Sequence, residues 1–184
     1  SLGAWAGADF VVGREARSAY DEPHAPEKAD HCTMGNSLMF KARDAGHPVP
    51  FIKPDWANTY TEHDLRRRIH EDVTSGYWWI ELGGGRYNTI ADAETLRDEL
   101  LKAVYGVWDH IKNGGEHGAQ NMELEWVGML PGKRESRRYV GDHILTQRDI
   151  EAGGRFPDTV AYGGWTMDDH NPAGFRSAAL GEPV

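Results

Sequence analysis

The sequence predicts an α+β fold, in which a mixed, largely antiparallel sheet carries one long helix and a few short helices packed on it. Three observations lead to this prediction. Segments 77–82 and 124–130 are apolar runs of strand length, and segment 92–112 has the apolar period of a helix. Strands and helices also follow one another without the strict alternation of a parallel sheet, which favours antiparallel or mixed pairing.

Local patterns predict the remaining elements. Residues 9–20 predict a short strand followed by a short helix. Residues 33–44 predict a long strand, and residues 159–165 predict a final strand. Residues 46–56 hold three prolines, which exclude a central strand and favour an extended chain. Residues 61–73 predict a second helix, because apolar side chains recur at every fourth position.

Two helix starts carry the spacing of a capping box. Thr61 is the expected N-cap of the helix at 61–73, with Asp64 at the position that caps back. Thr146 and Asp149 repeat this spacing, which predicts a short helix over the residues that follow.

The strongest predicted element is the helix over residues 92–112. Asp92 and Glu94 in its first turn and Lys112 in its last turn complement the helix dipole, and Gly114 with Gly115 ends it. Its apolar stripe consists of Leu96, Leu100, Val104, Val107, Trp108 and Ile111.

Length and charge limit the classes of function. The 184 residues suffice for one domain with a substantial core. The 29 acidic residues outnumber the 20 basic ones, and the net charge of −9 argues against binding nucleic acid or an anionic membrane. No apolar run approaches the roughly 18 residues of a membrane-spanning helix. The single cysteine, Cys32, excludes an internal disulfide and a cysteine-based zinc site and favours a reducing, cytoplasmic compartment, with export of a parent protein left open.

The glycines at positions 83–85 resemble part of a dinucleotide-binding turn. Gly83 and Gly85 supply the first half of G-x-G-x-x-G, but Asn88 stands where the third glycine belongs. The predicted helix also begins several residues later, near Asp92. We therefore predict a strand-to-helix connection that contributes no cofactor-binding residue.

Segment 130–143 is a concentrated cationic patch in an acidic chain. Lys133, Arg134, Arg137 and Arg138 crowd around Glu135 after a predicted turn. Guanidinium groups hold carboxylates, phosphates and hydroxyl-rich ligands, so these arginines are candidate substrate-binding residues. A solvated charged face with local ion pairs is the alternative.

Segment 162–175 contains the candidate catalytic residues. Asp168, Asp169 and His170 follow Trp165, and a carboxylate beside an imidazole can set its tautomer for proton transfer. A turn held by aspartate side chains is the alternative. The nine histidines of the chain show no pair with convincing ligand spacing, so no metal site is predicted.

Four stretches of the chain, "MGNSLMFKARDAGHPVPF", "WWIELGGGRYNTIADAETLRDELLKAVYGVWDHIKN", "EWVGMLPGKRESRRYVGDHILTQRDI" and "FPDTVAYGGWTMDDHNPAGF", together resemble a family of bacterial FAD-dependent oxidoreductases, some of which carry the name xanthan lyase. The run "GKRESRRYVGDHILTQRDI" is the most specific part. Members of that family are longer, with a Rossmann fingerprint before this region and an FAD-contacting segment after it. The resemblance implies that residues 1–184 are a single substrate-binding or cap domain, excised from between the two halves of the FAD-binding domain.

The resemblance further implies that FAD belongs to the parent protein and is absent from this chain, which is then inactive alone. The expected partners are a small-molecule substrate and the flanking FAD-binding segments. In the parent, a hydride passes from a polar, sugar-like or hydroxy-acid substrate to the flavin, while this domain orients the substrate and excludes water. His170 would accept the proton, oriented by Asp168 or Asp169. The candidate walls of the substrate pocket are Trp78, Trp79 and Trp165.

Two other classes of function remain open. The chain could be a free-standing carbohydrate-binding module that uses tryptophans as sugar platforms, or a hydrolase with Asp168, Asp169 and Glu135 as its carboxylates. A domain separated from its partner exposes a broad apolar face and is expected to form homodimers or to aggregate, whereas a free-standing module is expected to be monodisperse.

Overall fold

The computed structural model confirms the α+β class. It describes residues 2–66, 70, 77–115, 117–164, 167 and 170–176, without the side chains of residues 77–79. The strands are β1 (Phe10–Val12), β2 (Asn36–Asp44), β3 (Tyr77–Leu82), β4 (Met122–Val127) and β5 (Arg137–Tyr139). The helices are α1 (Leu2–Trp5), α2 (Arg17–Tyr20), α3 (Glu62–Leu65), α4 (Ala93–Asn113) and α5 (Gln147–Glu151), and a 3-10 turn spans Gly174–Arg176.

The main sheet has three strands in the order β3-β2-β4, and both pairings are antiparallel. Phe40 of β2 lies opposite Trp78 of β3 and Val127 of β4. The register on the β4 side shifts between Lys41 and Ala42, where the strand bulges. This sheet contains the long strand and the two apolar runs that the sequence predicts.

Helix α4 covers one face of the main sheet and completes the core. Its predicted apolar stripe is fully buried against side chains of β2 and β3. Trp108 meets Phe40 edge to face, with ring centroids 6.1 Å apart. Burying a side chain of this size contributes about 2–3 kcal/mol, so this helix supplies much of the stability.

A second, smaller sheet pairs β1 with β5 antiparallel, with Phe10 opposite Tyr139. The sequence did not predict β5, because its three residues lack an apolar pattern and become a strand only through this pairing. The strand predicted over residues 159–165 is wrong over residues 159–164. Val160 and Tyr162 are 100% and 97% exposed, and no described strand lies beside them.

Both predicted capping boxes are confirmed, with Thr61 and Asp64 at the start of α3 and Thr146 and Asp149 at the start of α5. The described part of the helix expected over residues 61–73 is limited to α3, and most of the rest lies outside the described residues. Among the helices that the structure describes, none has the length and apolar character needed to cross a membrane.

Candidate functional site

Glu81, near the end of β3, is a buried carboxylate between two cationic or basic side chains. Its Oε2 lies 3.2 Å from Nδ1 of His170 and 3.2 Å from a terminal nitrogen of Arg134. Its Oε1 is buried and has no hydrogen-bond partner among the described residues. The structure thus brings together two predicted site residues, His170 and Arg134, around a third residue that was not predicted.

The segment that carries His170 is fixed against the end of β3 by close backbone contacts. The Gly85 amide donates to the Pro172 carbonyl at 3.2 Å, and the Thr33 amide donates to the Gly84 carbonyl at 3.1 Å. At Gly84 a Cβ would lie only 2.5 Å from the Pro172 carbonyl oxygen, and closer still to that of Thr33. A side chain at this glycine would therefore push the His170 segment away from Glu81.

The same contacts limit one side of the glycine turn. The side of Gly84 on which a Cβ would stand is filled by the carbonyl oxygens of Thr33 and Pro172, so no ligand fits on that side of this glycine. Asp92 occupies the N-cap of α4, and its carboxylate accepts from the Asn88 amide at 2.9 Å. A carboxylate at this helix start disfavours a second anion. The N-terminus of α4 therefore lacks the open, uncompensated amides that usually hold the pyrophosphate of a dinucleotide.

His170 also lines a cavity of about 380 Å³, which is within the usual size range of small-molecule sites. The cavity lies between the β1–β5 sheet, the loop before β2 and helix α5. Its polar lining includes Glu15, His24, Cys32, Arg138 and Gln147. Helix α5 is fixed there, since the Gln147 amide donates to Glu22 at 2.8 Å and the Gln147 side chain accepts from the His24 amide at 3.1 Å.

The three predicted arginines have different surroundings. Arg138 faces the cavity, where its guanidinium donates to Glu15 at 2.6 Å and to the Gly13 carbonyl at 2.5 Å. This hydrogen bond lowers the pKa of Glu15. Arg137 packs over the Phe10 ring, 5.3 Å from its centroid, and is not part of the cavity lining. Arg134 contacts Glu81, and all three therefore have local protein partners.

Cys32 lines both the cavity of about 380 Å³ and a second cavity of about 440 Å³ beside the glycine turn. Burial, together with the nearby charge of Asp30, raises the pKa of its thiol. Asp30 itself is held by Arg14, and that hydrogen bond lowers the pKa of the carboxyl to about 2. A raised pKa leaves less of the nucleophilic thiolate at neutral pH.

Several predicted site residues lie outside what the structure describes. These are Trp165, Asp168 and Asp169, together with the side chains of Trp78 and Trp79. The backbone of β3 pairs Trp78 with Phe40 and Trp79 with Met39. The proposed roles of these five residues stay predictions.

Sequence spacing also missed a cluster of histidines at the other end of the domain. His70, His110 and His117 come together with Glu62, and one ligand atom of each residue lies within 4.8 Å of the others. A signal was present in the sequence for one of them, since His110 falls on the buried face of α4 beside Val107 and Ile111.

The fold and the site define an α+β structure with a carboxylate–imidazole pair, Glu81 and His170, of which the imidazole lines a cavity of about 380 Å³. A family model described as FAD dependent oxidoreductase matches residues 1–182. The chain belongs to this family of FAD-dependent oxidoreductases. No curated protein and no solved structure gives a significant match.

Proposed function

We propose that this chain is the substrate-binding domain of a longer FAD-dependent oxidoreductase, in which flanking segments of the same protein hold the flavin. Family membership supports the oxidoreductase class. The single observation that carries the substrate-binding role is the position of His170, which contacts buried Glu81 and lines the cavity at the same time. FAD, when bound, supplies the two-electron acceptor for the reaction.

The contact between Glu81 and His170 suits proton removal. An Nδ1–H that donates to Glu81 Oε2 leaves the lone pair on Nε2, so that Nε2 is the basic atom. In this proposal, Nε2 of His170 takes the hydroxyl proton of the substrate as the neighbouring C–H bond gives up its hydride. Glu81 is the positioning residue, and it stabilises the imidazolium that forms.

The charges around the cavity favour a neutral, hydroxyl-rich substrate over a strongly anionic one. Arg138 is already matched by Glu15 and Arg14 by Asp30, so the cationic lining is compensated. Glu135 adds a further carboxylate to the wall. A dianion would have to compete with these carboxylates, whereas hydroxyl groups can bond to them. A sugar or sugar alcohol therefore fits better than a dicarboxylic hydroxy acid.

The test is a substrate panel on the flavoenzyme that contains this chain, with anaerobic bleaching of the flavin absorbance as the readout. The panel pairs neutral sugars and sugar alcohols with the corresponding sugar acids and with small hydroxy acids. We expect reduction by at least one neutral polyol, faster than by its acid counterpart. Reduction only by dicarboxylic hydroxy acids would overturn the substrate assignment, and a flavin that no polyol or hydroxy acid reduces would overturn the proposed function.

A carbohydrate-binding module is the second candidate, because aromatic side chains are available on the surface. Trp5 is 85% exposed and Tyr162 is 97% exposed, as sugar platforms require. This candidate predicts a monodisperse chain whose glycan binding is lost in Trp5→Ala and unchanged in His170→Gln. The oxidoreductase proposal predicts instead that binding of the sugar is weakened in His170→Gln.

Exposed apolar side chains also support an interface with a flanking domain or with a second copy of the chain. Met129 and Leu130, which follow β4, are 76% and 89% exposed, and Ile52 is 90% exposed. Where such side chains form a contiguous patch, the patch is typical of surfaces that pack against another domain. Light scattering of the isolated chain is expected to show dimers or larger species, and the intact flavoenzyme is expected to show fewer.

A further inference from the structure

We propose that Glu62, His70, His110 and His117 form a binding site for a divalent transition metal, with zinc as the best match. Glu62 lies on α3, and His70 lies in the chain beyond it. His110 lies in the last turns of α4, and His117 lies in the loop that follows. One potential ligand atom from each lies within 4.8 Å of the others. This site is separate from the cavity that His170 lines and is independent of the proposed oxidoreductase function.

Four distances within the cluster are close to those between the ligands of a tetrahedral zinc ion. Zinc bonds of 2.0–2.1 Å at tetrahedral angles place the ligand atoms roughly 3.3–3.4 Å from one another. Oε2 of Glu62 lies 2.9 Å from Nε2 of His110 and 3.4 Å from Nε2 of His117. Oε1 of Glu62 lies 3.3 Å from Nε2 of His70, and the Nε2 atoms of His110 and His117 are 3.1 Å apart. Small movements of the side chains would place one ion between all four.

The three imidazoles of the cluster are buried together. The side chains of His70, His110 and His117 are only 2%, 2% and 8% exposed. Their ring centroids lie 4.9–5.4 Å apart, so three imidazoles direct polar nitrogens into one small volume. A bound cation would take one lone pair from each of the three rings and one from Glu62 at the same time.

Two glycines after α4 leave room for the rings. A Cβ at Gly114 would lie 2.7 Å from Nδ1 of His110, and a Cβ at Gly115 would lie 3.0 Å from Nε2 of His117. Neither glycine has a positive φ angle that would require glycine for the backbone alone. Space for the imidazoles is therefore a physical reason for both glycines.

The donor set indicates the metal and its role. Three imidazoles and one carboxylate suit zinc and related transition ions, whereas calcium and magnesium prefer sites made of oxygen atoms. Four protein ligands fill a tetrahedral shell, which is typical of structural rather than catalytic zinc. The ion would join α3 and residue 70 to the end of α4. Glu62, whose side chain is 65% exposed, lies on the open side from which a metal can enter.

The direct test is metal binding by the full chain after removal of metals with a chelator. We expect uptake of one equivalent of Zn²⁺, measured by elemental analysis after desalting, and a higher midpoint of thermal unfolding. Co²⁺ should give the intense visible absorption of a tetrahedral complex, and Mg²⁺ should give no change in the unfolding midpoint. Failure of the chelated chain to take up Zn²⁺ would overturn the proposal.

Variants then assign the ligands. Glu62→Gln removes the ligand charge at an exposed position, so the fold is retained, and zinc affinity should fall at least tenfold. His117→Gln should lower it further, to about one hundredth of the original affinity. The controls are Glu94→Gln at an exposed position of α4 and His143→Gln at a half-exposed position on the surface, both expected to leave affinity unchanged. Equal affinity in Glu62→Gln, His117→Gln and the controls would show that zinc binds elsewhere and would overturn the site.

Discussion

Replacement of Gly84 by alanine tests how the candidate site is held together. Gly84 has a φ of +43°, and an alanine in this left-handed region costs about 1–2 kcal/mol. Its Cβ would also meet the carbonyl oxygens of Thr33 and Pro172, the latter at 2.5 Å. Overpacking of this kind costs typically about 1–3 kcal/mol. Together the two effects predict a loss of about 2–5 kcal/mol in the free energy of unfolding.

Gly46→Ala is the matched control. Gly46 has a φ of +73°, but a Cβ there would meet no atom within 4 Å, so only the backbone cost of about 1–2 kcal/mol applies. Equilibrium urea unfolding of both variants, followed by circular dichroism, gives the two free energies. The account predicts a clearly larger loss for Gly84→Ala. Equal losses would refute the claim that this glycine is required by close packing of the His170 segment against the end of β3.

Three further predictions concern the surroundings of the cavity. Burial raises the pKa of Cys32, so iodoacetamide at pH 8 should alkylate this thiol more slowly than it alkylates glutathione. An equal rate would contradict the assigned environment. Arg14 lowers the pKa of Asp30 to about 2 in the folded state, whereas the pKa in the unfolded chain is about 4. The ion pair therefore stabilises the fold fully above about pH 4, and this stabilisation is lost as the pH falls toward 2. Because the pair is partly exposed, Asp30→Asn should lower the free energy of unfolding by less than about 1 kcal/mol at pH 7. The difference in free energy from wild type should shrink between pH 6 and pH 3, and a constant difference would contradict the direction of this pKa shift. Thr146→Ala removes the cap of α5 and should cost about 1 kcal/mol in urea unfolding, whereas Thr159→Ala, at an exposed position, should cost less.

Elements with a strong local signal could be predicted from the sequence. Helix α4 has a continuous apolar stripe, charges that fit its dipole and glycines at its end, and the structure places it within one residue of the prediction. The capping boxes of α3 and α5 have a fixed spacing and are equally readable. Strand β5 could not be predicted, because its residues become a strand only by pairing with β1, which is distant in the sequence.

The candidate site could be predicted only in part. His170 was singled out for its neighbouring aspartates, but in the described residues its carboxylate partner is Glu81, which lies far away in the sequence. A glutamate within the apolar run at 77–82 was a signal, because a charged side chain in a buried strand needs a partner. The meeting of His70, His110 and His117 depends on how the chain folds around the end of α4, and spacing along the sequence carries no trace of it.

The most direct test of the central claim is the rate of flavin reduction by a reactive polyol in the flavoenzyme that contains this chain, measured anaerobically by stopped flow. His170→Ala should reduce this rate at least a hundredfold, as expected for loss of a positioned base, and added imidazole should restore part of it. Glu81→Gln should reduce it less, and His143→Gln should leave it unchanged. A His170→Ala enzyme that reduces its flavin at the wild-type rate would contradict the account.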